Sequence, residues 1–130
     1  MKKLITLMFA LMAIALGAQA MSYNIWIAGI QVTDDNKNNV TGGGISWSSF
    51  SDGKVWFDPG HNTLYLENVR INGYSKEAIK SDIYGLTIKV KGRYNSLISS
   101  GSYGIYQSSN GTLTLEGDGL LDILADKSGI

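Results

Sequence analysis

Two side chains in the stretch "GKVWFDPGHNTLYLE" could do recognition chemistry, Trp56 and Tyr65 on either side of the turn "DPGHN". If the flanking runs form a hairpin with Phe57 opposite Leu64, the same register puts Val55 opposite Leu66, Trp56 opposite Tyr65 and Lys54 opposite Glu67. One face is then wholly apolar and the other carries adjacent aromatics. Such a pair offers flat apolar surface on which the C–H face of a pyranose ring packs; a pair of this kind also simply stiffens a hairpin. Trp47, in the stretch "GGGISWSSF" that reads as a flexible loop, and Tyr84 and Tyr106 further on complete the candidate carbohydrate-binding set. A stack of Tyr84 on Tyr106 would suit a sugar chain.

Asp34-x-Asn36-x-Asn38 matches the beginning of a calcium loop, in which alternating oxygen ligands wrap a hard cation. The sixth position is Asn39 where such loops need glycine, and the twelfth is Ile45 where they need glutamate. The three residues therefore read as a solvated Asx-rich turn, and no metal or other cofactor is expected. Glu116, Asp118 and Asp122 form a second acidic patch that reads the same way. Catalytic chemistry has less to work with. His61 stands in a turn, cysteine is absent, and the acids nearest Arg70, Lys89, Lys91 and Arg93 are only Glu67, Glu77 and Asp82. A lyase needs an acidic calcium cluster beside its base, and a polygalacturonase needs three convergent carboxylates, so no enzyme is expected. A remnant of a polysaccharide lyase or glycoside hydrolase is the third reading.

These residues must be held by something, and the chain supplies a repeat. "Small-Ile" marks fall at Ala78-Ile79, Gly104-Ile105 and Gly129-Ile130, spaced 26 and 25 residues. Alternating apolar pairs Leu64/Leu66, Leu86/Ile88 and Leu113/Leu115 keep step with them, as do Val69/Ile71, Leu97/Ile98 and Leu121/Ile123. A fixed period with three short apolar strands per turn predicts a solenoid, because one flat coil cannot bury its inward residues while stacked coils bury each other's. A small antiparallel sandwich is the alternative. Residues 23–57 lie outside the period. "NIWIAGIQVT" predicts a hairpin around Ala28-Gly29 with Ile27 opposite Ile30, Ile25 opposite Val32 and Trp26 opposite Gln31. The two hairpins would close one end of the column.

Bulk composition sets the compartment. Lys2 and Lys3, the apolar run from Leu4 to Leu16 and Ala18-Gln19-Ala20 read as a secretory signal peptide over residues 1–20. No later stretch is apolar enough to cross a membrane, and without cysteine there is neither a lipoprotein anchor nor a disulfide. Removing the leader leaves nine basic against eleven acidic residues, a net charge of −2. That balance excludes the basic stripe of a nucleic-acid binder. Sixteen glycines and a single proline favour turns and strands.

"YNIWIAGIQVTDDN", then "GKVWFDPGHNTLYLENVRI", then repeated "GI…GTLTLEG" resemble a family of secreted bacterial proteins. Its members open with a W-[IV]-x-G-x-Q-V-T hairpin and a V-x-[YF]-D-P-x-x-N-T-L-x-L-x-N segment, and continue as right-handed parallel β-helices identified as carbohydrate-binding. The resemblance covers most of the chain from Tyr23 onward, and it implies an extracellular β-helix with a glycan-binding role. This chain is short beside those relatives and stops within the third coil.

The expectation is thus an all-β protein: a right-handed parallel β-helix (solenoid) of about two and a half coils behind an N-terminal β-hairpin cap. Residues 1–20 are the leader, 21–57 the cap and 58–130 the coils. It is secreted, extracellular or periplasmic, and binds a polysaccharide or surface glycan without cleaving it. The runner-up is a structural or adhesive module that engages protein, or a second copy, through its open last coil.

Overall fold

The structure, a computed structural model, describes residues 20–47 and 52–130. The expected leader, apart from Ala20, and residues 48–51 of the stretch after Trp47 lie outside the described residues. Among the described residues there is no helix, so none is long and apolar enough to cross a membrane. Twelve strands are present: β1 (Ser22–Ile27), β2 (Ile30–Thr33), β3 (Ile45–Trp47), β4 (Lys54–Asp58), β5 (Thr63–Glu67) and β6 (Val69–Asn72), then β7 (Ile79–Ser81), β8 (Thr87–Lys91), β9 (Asn95–Ser99), β10 (Ile105–Gln107), β11 (Thr114–Glu116) and β12 (Leu121–Ala125). They form three four-stranded sheets, ordered β10-β7-β1-β2, β11-β8-β5-β4 and β12-β9-β6-β3.

From Thr63 onward each strand pairs in parallel with the strand three places later. Thr63 partners Thr87, Thr87 partners Thr114, Ile79 partners Ile105 and Asn95 partners Leu121, so partners lie 24 to 27 residues apart. The pairing stacks like on like. Leu64, Ile88 and Leu115 form one inward column, Leu66 and Val90 a second, and Ile71, Leu97 and Ile123 a third. Most of these side chains are fully buried in one core shared by the three sheets. Burying one aliphatic side chain of this size contributes about 1.5–3 kcal/mol, which a chain without disulfides needs.

The strands before Pro59 add antiparallel pairings to all three sheets, two strands to the first and one to each of the others. β4 pairs with β5, β3 with β6 and β1 with β7. The β4–β5 register is the one expected, Phe57 on Leu64 through Lys54 on Glu67. In the first hairpin Ile27 faces Ile30 and Trp26 faces Gln31 as expected. The expected partnership of Ile25 with Val32 is absent, because the register shifts between Ser22 and Trp26; both side chains are buried nonetheless. The turn has positive φ at both central residues, +49° at Ala28 and +79° at Gly29, as two-residue hairpin turns require. Ala28 is held in that uncommon conformation by a bond from its N–H to the Ala78 carbonyl (2.8 Å).

Three expectations are corrected. Trp47 does not sit in a flexible loop: it ends β3, paired with Val69. On β9 the inward side chains are Asn95, Leu97 and Ser99, whereas Ile98, expected beside Leu97 in the apolar group, alternates to the outer side and is half-buried. Asn95 holds the inner place because its amide links three turns of chain. Its Oδ1 accepts from the Val69 N–H (3.2 Å), and its Nδ2 donates to the carbonyls of Lys91 (2.7 Å) and Leu120 (3.1 Å). Tyr84 and Tyr106 do not stack: the ring neighbour of Tyr106 is Tyr103, while Tyr84 lies against Gly111.

Candidate functional site

The β4–β5 register places Trp56 and Tyr65 side by side on the outer face of their sheet. Their ring planes are 2° from parallel and their centroids 4.8 Å apart. That distance is the spacing between neighbouring strands, and it is too short for two rings lying edge to edge in one plane. The rings are therefore stacked face to face, each covering one face of the other. The pair stands as a wall and leaves the outer face of each ring as the surface a ligand can meet.

A lysine belt surrounds the stack. In the same rows of the sheet, Tyr65 partners Lys89, and Glu67 stands between Lys54 and Lys91 as the partner of each. The Lys54 ammonium stands 5.1 Å from the Trp56 ring centre, and that of Lys91 is 5.7 Å from both ring centres. On the far side of Trp56, the segment from Lys37 to Val40 runs along the outer edge of β4. The Phe57 N–H donates to the Lys37 carbonyl (2.7 Å) and the Val40 N–H to the Val55 carbonyl (2.8 Å). Between this segment and the stack lies a cleft of about 430 Å³, bounded by Lys37, Asn38, Trp56, Asp58, Pro59 and Tyr65. Its size falls in the range of small-molecule sites, and its lining combines aromatic walls with a few polar groups.

The polar groups are fixed by their neighbours. Asp58 bonds His61 Nδ1 at 2.7 Å and accepts the Gly60 N–H at 3.0 Å. The bond to His61 is the main reason its carboxyl sits below the usual range. Lys37 donates to Asp34 Oδ1 at 3.1 Å, and the Tyr23 hydroxyl donates to the same oxygen. The bond from Tyr23, then that from Lys37, holds the Asp34 carboxyl low. The bond to Asp34 in turn raises both the Tyr23 phenol and the Lys37 ammonium. Asn38 lines a cleft whose cation and carboxylate are held in place by these bonds.

The same bonds describe the calcium candidates Asp34, Asn36 and Asn38. Asn36 Oδ1 accepts the Thr33 N–H (2.7 Å) and its Nδ2 donates to the Gln31 carbonyl (3.0 Å), so its amide is engaged along β2. Asp34 Oδ1 is engaged by Tyr23 and Lys37. Among the described residues no group of three or more His, Asp or Glu side chains is placed to hold a metal ion.

The other candidates are spread over the molecule. Trp47 lies on the sheet of β3 and β6, half exposed. Tyr84 is the most exposed of the aromatic candidates, at a turn before β8, and Tyr106 lies on β10. Trp56 and Tyr65 alone are brought together. Sequence reasoning did not assign the flanking lysines to the site. Their signal was present, since Lys89 and Lys91 follow Tyr65 and Glu67 by one repeat. Compared with protein-family models, with curated proteins and with solved structures, the chain matches none.

Proposed function

We propose that this chain is an exported, non-catalytic saccharide-binding protein built as a short right-handed parallel β-helix behind a hairpin cap. Parallel partners at 24 to 27 residues support the solenoid, since each third strand then lies one coil on. The N-terminal leader supports export. The observation that carries the binding reading is the cleft beside the Trp56–Tyr65 stack. The exposed face of Trp56 receives the apolar side of a sugar ring, while Asn38, Asp58 and the lysines around the stack meet its hydroxyls. Replacing Trp56 by leucine is expected to lower affinity for a retained glycan about tenfold, the equivalent of about 1.4 kcal/mol, with an unchanged strand circular dichroism spectrum. A glycan array followed by calorimetry on the hits measures it. Equal binding by the folded variant, or release of reducing ends from the bound polysaccharide, would overturn this reading.

A second reading is favoured by the sheet ends formed by β11 and β12. Leu120 and Leu124 are each more than half exposed there, and Leu115 is 41% exposed although it continues the buried column of Leu64 and Ile88. Exposed strand edges flanked by apolar side chains pair with other strands. Such an adhesive module self-associates as concentration rises, and Leu124→Lys, a charge on the outer side of β12, should return it to monomer in light scattering. A wild-type chain that stays monomeric into the millimolar range rules this reading out.

A further inference from the structure

A second row of aromatics and lysines crosses the sheet of β1, β7 and β10, apart from the Trp56 stack. Gln31, Trp26, Lys80 and Tyr106 are partners in turn, so their side chains line one outer row. The Lys80 ammonium stands 5.5 Å from the Trp26 ring centre. Tyr103 packs against Tyr106 at 5.5 Å, and the Lys127 ammonium lies 5.5 Å from the Tyr103 ring. Cations and rings thus alternate along this face. A cleft of about 390 Å³ opens beside Trp26, lined by Gly29, Lys76, Glu77 and Lys80. Its one acid, Glu77, accepts a hydrogen bond from the Ser102 hydroxyl (3.2 Å). Among the described residues, no carboxylate lies within ion-pair distance of Lys76, Lys80 or Lys127.

Three lysines without counter-ions around an aromatic row are not explained by bulk charge, which is balanced over the chain. Nor do they serve the fold, whose core lies on the opposite side of this sheet. An exposed cation–ring contact contributes only about 0.5–1 kcal/mol. The arrangement fits a ligand with a flat apolar face and an anionic group beside it. We propose that the Trp26–Lys80–Tyr106 row is a second saccharide site, selective for an acidic sugar: the ring lies on Trp26 and Tyr106, and its carboxylate or sulfate meets Lys80. The second site rests on the same saccharide chemistry as the first but differs in charge: Glu67 partners both Lys54 and Lys91 beside the Trp56 stack, whereas no acid stands in the Gln31–Trp26–Lys80–Tyr106 row.

The test is a titration of the ¹⁵N-labelled full chain with hexagalacturonate, a sulfated hexasaccharide and neutral cellohexaose, following the indole resonances of Trp26 and Trp56. Lys80→Gln and Trp56→Leu are titrated alongside, each checked for an unchanged melting temperature. An acidic oligosaccharide is expected to shift the Trp26 indole, at least tenfold more weakly in Lys80→Gln and unchanged in Trp56→Leu, and to bind less tightly as salt rises. Comparison of the two acidic probes assigns carboxylate or sulfate. An acidic ligand that binds Lys80→Gln as well as the wild type, or shifts only Trp56, overturns the second site and leaves the first standing. Shifts confined to Trp26 uphold the second site and overturn the first. With no shift at either indole, both fall.

Discussion

Asn95→Leu is expected to lose about 3–5 kcal/mol of stability, since each orphaned buried group costs about 1–3 kcal/mol. The substitution keeps the branched four-atom outline of the side chain and removes the amide. Asn95 is fully buried, and its side chain serves the Val69 N–H and the Lys91 carbonyl. The Leu120 carbonyl keeps its bond from the Asn95 backbone N–H (3.0 Å), so two groups are stranded. Against a typical domain stability of about 5–15 kcal/mol, the folded population drops sharply. The midpoint of urea unfolding, compared with Ile98→Ser on the outer side of the same strand, reads the effect. A loss below about 1 kcal/mol, within the usual range of surface changes, would show that water or a shifted backbone satisfies those groups.

Gly44→Ala should detach β3. A Cβ at this position would lie 1.8 Å from the Asn72 carbonyl oxygen, an overlap with backbone that no rotamer relieves. The same junction carries the bond from the Asn72 N–H to the Gly44 carbonyl (2.9 Å). Overpacking costs about 1–3 kcal/mol, and the lost pairing of Ile45 with Ile71 and of Trp47 with Val69 adds to it. The expected result is faster hydrogen exchange across Val69–Asn72 and greater quenching of Trp47 fluorescence by iodide. Gly29→Ala is the control. Its φ is +79°, but nothing lies within 4 Å of an added Cβ, so only left-handed strain of about 1–2 kcal/mol remains. Equal damage from the two substitutions would mean that backbone conformation, not close approach, makes Gly44 necessary.

What could be read beforehand follows from how local each signal is. The β4–β5 register was legible to the residue, because Val55, Phe57, Leu64 and Leu66 alternate with polar and aromatic neighbours and a one-residue slip would expose all four. The all-β character and the recurrence of strands were legible from the repeated apolar pairs. β3 was not: three residues between glycines and serines carry no period, and β3 exists because β6 offers it an edge. Asn95 was hidden because an inward polar residue breaks the alternation, and two of its partners lie 25 and 26 residues away. At the site, the register gave the adjacency of Trp56 and Tyr65 but not the tilt of their rings, so a flat platform was expected where a face-to-face stack stands. The Trp26–Lys80 pairing joins residues 54 positions apart and in antiparallel sense, which no repeat among the later strands announces.

The hydrogen bonds of Asn36 and of the segment from Lys37 to Val40 have a consequence for symmetry. The Asn36 amide takes up the Thr33 N–H and Gln31 carbonyl as a neighbouring strand would, and residues 37–40 do the same for β4. β3, on the remaining sheet, is only three residues long. Among the described residues the outer edges of β2 and β4 are thus blunted for docking, while β11 and β12 sit at the other end of their sheets. A filament needs two complementary ends that meet head to tail, and the described residues at the β2 and β4 edges do not form a match for β11 and β12. Pairing of two copies through the exposed edges of β11 and β12 would be isologous, the same surface meeting itself about a two-fold axis, with β1 to β4 of each copy turned outward.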